Sequence, residues 1–229
     1  MTNMKKLCRA DLEADLYRNL HSSAGLAHHV LSTTELDASV DALLAEIGPD
    51  ADPWVFAYGS LVWNPIMNFA ERRLATLRGY HRRFCLWSHI GRGTRECPGL
   101  VLGLDRGGCC RGVSYRLPHY LAREELRLLW RREMAIGSYL PRWIRVVDES
   151  NGGEHRAIAF VVNRDHPSYT GKLAQDTVVK TLSRACGQVG SSADYLMHTV
   201  ESLITHGIRD AHLIELQQRV LAEIQAAKA

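Results

Sequence analysis

Two short stretches of the chain hold residue types that could do chemistry together. In the first, Leu126, Leu129 and Trp130 follow an i, i+3, i+4 progression whose next step falls on Glu133. A carboxylate thus lies on an otherwise apolar helix face, at the last turn of the helix. Burial disfavours its charged form and the negative end of the helix dipole repels an anion, so the spacing predicts a raised pKa. A carboxyl group tuned upward suits a general base or acid working near neutral pH. The competing reading is a salt bridge to Arg131, Arg132 or another arginine.

The second stretch is Trp54-Val55-Phe56-Ala57-Tyr58-Gly59-Ser60-Leu61. Its aromatic and β-branched residues read as a short buried strand that begins after Pro53 and runs into a tight turn. Gly59 permits a close approach to the chain that a Cβ would forbid. Ser60 adds a hydroxyl, and successive N–H groups in such a turn form a concavity suited to an anion. Those groups could hold a carboxylate or a developing oxyanion, and an ordinary strand end is the plain alternative. Gly91-Arg92-Gly93-Thr94 offers one arginine on a flexible loop, whose plain reading is a solvated loop.

The elements that must position these residues follow from the patterning. Residues 1–50 read as a helical N-terminal extension packed on the main body and without chemistry of its own. In it, Ser32-Thr33-Thr34-Glu35 offers a capping box before Leu36, Val40, Leu43, Leu44 and Ile47. Gly48-Pro49 ends that run. Residues 51–229 form the main domain. Its strands are expected at Leu74 to Leu77, Tyr80 to Trp87, Leu100 to Leu104, Val113 to Leu117, Trp143 to Val147 and Ala157 to Val162. The helix bearing Glu133 runs from Pro118 to about Met134. Three more helices close the chain: Leu173 to Cys186, one capped by Ser191 or Ser192, and one carrying Leu213, Leu216, Val220 and Ile224.

The 229 residues, 46% hydrophobic and 23% charged, fit an ordinary globular protein. A formal net charge of +3 with scattered arginines argues against nucleic-acid binding. No apolar run approaches a membrane span, and Met1-Thr2-Asn3-Met4-Lys5-Lys6 leads into no apolar signal core, so a cytoplasmic location is expected. Cys8, Cys85, Cys97, Cys109, Cys110 and Cys186 show no metal-ligand spacing and read as reduced thiols, with Cys109-Cys110 placed in a turn beside Gly107-Gly108. His28-His29 reads as a solvated turn pair rather than a metal site.

Taken together, the motifs resemble those of the ChaC family of glutathione-specific γ-glutamylcyclotransferases. Trp54 to Trp63 is similar to the opening of that family, and Gly79-Tyr80-His81-Arg82-Arg83-Phe84 to its second strand. Arg92-Gly93-Thr94 with Pro98-Gly99 resembles its substrate loop, though Ile90-Gly91 precede Arg92 where many members carry an aspartate-histidine pair. Gly112 to Pro118, Trp130-Arg131-Arg132-Glu133, His166 to Gly171 and Ala193-Asp194-Tyr195-Leu196 resemble the remaining signatures. The resemblance spans about residues 53–215, at seven places in order. It implies a mixed α/β (α+β) fold with a β-barrel-like sheet flanked by helices. It also implies cleavage of glutathione to 5-oxoproline and cysteinylglycine without a cofactor, and no His/Cys/Asp cluster has the spacing of a metal site. By the same carry-over Glu133 is the acid/base residue. Tyr58, Gly59, Ser60 and Leu61 hold the γ-glutamyl moiety, with Arg92 and Tyr169 as further substrate contacts. The wider alternatives are a cyclotransferase for other γ-glutamyl amines or amino acids, and a non-catalytic γ-glutamyl-binding regulator.

Overall fold

The computed structural model describes residues 7–23 and 30–228; the His28-His29 pair lies outside them. In chain order the elements are α1 (Arg9–Glu13), α2 (Leu16–Ser23), α3 (Thr33–Leu44), β1 (Trp54–Ala57), α4 (Ser60–Trp63), β2 (Glu71–Ser88) and β3 (Gly99–Arg116). There follow α5 (His119–Glu133), β4 (Tyr139–Asp148), β5 (Glu154–Val162), α6 (Gln175–Arg184), β6 (Cys186–Gly187), β7 (Gly190–Ser191), α7 (Ser192–Thr205) and α8 (Ala211–Ala226).

Five strands close into a barrel in the order β1-β3-β2-β4-β5. β1 bridges to β5 at Val55 and Ile158, which completes the ring. The four separate strands expected between Leu74 and Leu117 are two long ones, paired antiparallel along their length. Gly79 on β2 faces Gly107 and Gly108 on β3 at a bulge, between the pairs Arg78–Cys109 and Tyr80–Arg106. All three glycines have positive φ, of 84°, 98° and 73°. They let the ribbon kink without ending the strands, a conformation costly for any residue with a Cβ. Cys109 and Cys110 therefore lie within β3, not in the expected turn.

α5 lies against this barrel and buries Leu126, Leu129 and Trp130 as the spacing predicted. Trp130 packs edge-on to Phe160 of β5 at 5.1 Å. Its indole N–H donates to Ser39 Oγ of α3 at 3.1 Å. α3 itself starts at the expected capping box of Ser32 and Glu35. Leu36, Val40 and Leu43 enter the same apolar cluster as the barrel and α7. Burying each such side chain contributes roughly 1.5–3 kcal/mol. The last helices sit close to expectation, although Cys186 falls outside α6, in the small β6–β7 hairpin. Among the described residues, no helix is long and apolar enough to cross a membrane.

Candidate active site

The two stretches with chemical potential meet at the end of α5. Glu133 is the last residue of that helix. It lines a cavity of about 310 Å³ together with Ser60, Arg92, Arg132, Tyr139 and Tyr195. A smaller recess of about 20 Å³ lies next to it, lined by Tyr58, Gly59, Ser60, Leu61, Glu133 and the tyrosines 139 and 195, among others. Ser60, Glu133, Tyr139 and Tyr195 border both spaces and so mark where they join.

The recess owes its shape to buried hydrogen bonds. The Tyr58 hydroxyl donates to the Phe160 carbonyl at 2.8 Å, and the Tyr139 hydroxyl to the Leu102 carbonyl at 2.7 Å. Arg82 of β2 donates to the Tyr58 carbonyl at 2.8 Å and to the Arg111 carbonyl, and pairs with Asp210 at 3.1 Å. That arginine ties the end of β1 to β3 and to the start of α8. A Cβ on residue 59 would stand 3.1 Å from the Tyr195 hydroxyl and 3.6 Å from a methyl of Leu102. Glycine at 59 is thus the residue that lets Tyr195 close over the turn.

Past Gly59 the chain enters α4. Val62 N–H returns to the Gly59 carbonyl and Asn64 N–H to the Ser60 carbonyl, both at 2.9 Å. The N–H groups of Ser60 and Leu61 precede these and belong to the donors that any helix start leaves without an intrahelical acceptor.

Glu133 is nearly enclosed, with a side chain 12% exposed. Its Oε1 lies 3.1 Å from Arg132 Nε. The contact lacks hydrogen-bond alignment, and the same oxygen is buried with no hydrogen-bond partner. Burial pushes the Glu133 carboxyl above its ordinary value, and the Arg132 cation offsets part of that rise. Arg132 is committed elsewhere: it donates to the Asn64 carbonyl and to Ser60 Oγ, each at 2.7 Å. So the salt-bridge reading and the raised-pKa reading of Glu133 hold at once. Burial, with the Glu133 charge adding to it, raises Tyr195 to about 12; Tyr58 is pushed well up for the same two reasons.

The other residues singled out from sequence divide. Arg92 is buried and lines the cavity, but its guanidinium donates to the Val189 carbonyl at 3.1 Å and lies 5.3 Å from the Tyr195 ring centre. Its backbone N–H donates to Ser88 Oγ at 2.9 Å. Tyr169 stands outside the cavity lining. Its hydroxyl donates to Asp105 Oδ2 at 3.0 Å, beside Arg83 and Arg164 on the same carboxylate. That anchor seats His166, Pro167 and Ser168 on the cavity wall, where the Ser168 carbonyl accepts from Trp87 N–H at 2.8 Å. Sequence reasoning did not single out Tyr139, Arg132 or Arg82 as site residues. Tyr195 carried a signal through Ala193-Asp194-Tyr195-Leu196, one of the motifs of the resemblance.

The closed five-stranded barrel flanked by helices is a γ-glutamylcyclotransferase fold. A crystal structure of the glutathione-specific γ-glutamyl cyclotransferase from yeast superposes with a TM-score of 0.68, at 22% identity over 75% of this chain and 96% of that one. The family model described as ChaC-like protein matches residues 53–223, and the chain belongs to the ChaC-like family. It is 41% identical, over 84% of each chain, to a protein of Escherichia coli strain K12 named glutathione-specific γ-glutamylcyclotransferase. A Mus musculus protein named glutathione-specific γ-glutamylcyclotransferase 1 is 31% identical over 72% of this chain and 77% of its own length.

Proposed function

We propose that the protein cleaves glutathione by cyclising its γ-glutamyl group, releasing 5-oxoproline and cysteinylglycine. The observation that carries this reading is Glu133: a carboxyl group raised by burial, bordering both the cavity and the recess at the Gly59–Ser60 turn. Its relatives' names point to the same substrate.

The substrate's own α-amine attacks its γ-carbonyl, so the reaction needs no nucleophile from the protein. What it needs is a folded substrate and managed protons. Holding amine and carbonyl at attack distance can supply roughly 7–11 kcal/mol of the barrier. Glu133 takes a proton from the α-ammonium or attacking amine and delivers one to the departing cysteinyl nitrogen, worth about 10²–10⁴-fold. Tyr58, Gly59, Ser60 and Leu61 hold the γ-glutamyl head. The Ser60 and Leu61 N–H groups anchor its carboxylate or meet the oxyanion. Arg92 shapes the substrate side of the cavity by holding the β6–β7 hairpin, and Tyr169 by holding the 166–168 segment.

Residues 51–229 form the catalytic domain and 1–50 a helical extension of it. We place the reaction in the cytoplasm, where its thiol substrate is kept reduced, in keeping with six free cysteines. The test is incubation with glutathione and mass-spectrometric detection of 5-oxoproline and cysteinylglycine in equal amounts. Turnover of γ-glutamyl amino acids but not glutathione would move the substrate assignment. Turnover of neither would overturn it.

A further inference from the structure

The segment ahead of the barrel contributes to the cavity. Leu7 and His21, only 7% and 8% exposed, line it alongside Arg132 and Glu133. Both precede the stretch that matches the family model. Neither is among the residues lining the inner recess.

This segment is docked rather than merely adjacent. The Asn64 side-chain amide donates to the Leu7 carbonyl at 2.9 Å, and the Asn64 carbonyl accepts from Arg132. Arg131 donates to the carbonyls of Leu12 and Glu13 at 3.3 and 3.2 Å. Arg9 reaches Glu125 at 2.8 Å, a carboxylate 1% exposed that also accepts from Asn68 N–H. Removing one partner of such a pair leaves a buried charge uncompensated, which keeps α1 on α5.

We propose that residues 7–23 form the tail wall of the substrate site, with Leu7 and His21 meeting the cysteinylglycine portion of the substrate and deciding which γ-glutamyl compounds are accepted. The inference rests on the function proposed above. Its geometry follows from the chemistry. The cyclising atoms lie at Glu133, on the border between recess and cavity, and the part of the substrate beyond the γ-carbonyl is placed in the cavity that Leu7 and His21 line. There Leu7 offers an apolar surface for the cysteinyl methylene. The His21 imidazole offers a hydrogen-bonding group for the tail amide or carboxylate.

The experiment is steady-state kinetics of full-length Leu7→Ala and His21→Ala with glutathione, together with inhibition by each product. Leu7→Ala keeps the backbone carbonyl that Asn64 uses. The expected result is a KM raised roughly three- to tenfold with kcat within about twofold, the mark of lost uniform binding. The inhibition constant of cysteinylglycine should rise in parallel, while that of 5-oxoproline should stay within about twofold. Equal weakening of both products, or of neither, would overturn the inference, as would a fall in kcat at constant KM. Lack of inhibition of the unaltered protein by cysteinylglycine would also overturn it. Leu7→Met and His21→Gln, milder in shape, supply the same comparison should an alanine variant fail to fold. If the unaltered protein turned over no glutathione, the functional reading would fall instead.

Discussion

Arg132 Nε stands 3.1 Å from Glu133 Oε1, although neighbouring positions on a helix normally point apart. The same guanidinium holds Ser60 Oγ and the Asn64 carbonyl, so one arginine ties the carboxylate to the turn that faces it. Its charge opposes the upward push of burial on Glu133. Arg132→Met removes that opposition, so Glu133 should rise further and be ionised less at neutral pH. The acid limb of the kcat/KM profile should then move to higher pH. An unchanged profile would mean that the pair has no bearing on the protons of the reaction.

Glu133 also makes stability depend on pH in a particular direction. Its folded-state pKa lies above the unfolded value, so the folded protein binds the extra proton. The stability this confers is fully present below the unfolded pKa and is lost as pH rises through the folded one. Glu133→Gln should therefore raise Tm at pH 7–8, at about 2–4 °C for each kcal/mol released, and leave it unchanged near pH 4. A Tm gain that grew toward acid would contradict the assigned burial effect. Activity of the unaltered enzyme should fall as pH drops through the same raised pKa.

Gly59 and Ser60 should rank clearly. Gly59→Val places atoms against the Tyr195 hydroxyl, 3.1 Å from the first added carbon, and so displaces a wall of both the cavity and the recess. Ser60→Ala keeps every backbone donor and loses the hydroxyl that accepts from Arg132. A hydrogen bond to a charged group is worth about 1.5–3 kcal/mol, so kcat/KM should fall by no more than roughly ten- to a hundredfold. The glycine variant should lose more than that. Kinetics showing Ser60→Ala to be the worse of the two would place the substrate elsewhere.

The cysteines should be dispensable for turnover. None lines the cavity or recess. Burial pushes the Cys85 thiol up to about 11, which leaves almost no thiolate at pH 7. Cys85→Ala should keep turnover within a few-fold while costing about 1–3 kcal/mol of stability in denaturant unfolding. Full inactivation of a folded single variant would point to thiol chemistry.

Much of the site was legible in local patterning. Glu133 followed from one helical progression, and the Gly59 turn from a strand run ending in glycine. The barrel strands were legible too, except that glycines with positive φ read as turns where they are bulges within continuous strands. What local patterning could not carry is contact between distant segments. Tyr139 and Tyr195 line the recess from β4 and α7, and Arg82 holds the Tyr58 carbonyl from β2, contacts that none of these segments shows by itself. Leu7 and His21 lie in a segment that looked like a bare appendage. Tyr169 had a motif, yet only the fold shows its hydroxyl on Asp105 rather than on the cavity.

The central claim is that Glu133 moves the protons of the cyclisation. The most direct measurement is turnover of glutathione by Glu133→Gln at saturating substrate, with glutathione binding to the same variant measured by calorimetry. Binding should stay within a few-fold of the unaltered protein, with turnover reduced about 10²-fold or more. A folded variant that binds glutathione and keeps more than about a tenth of the turnover, within the span of a minor electrostatic effect, would contradict it.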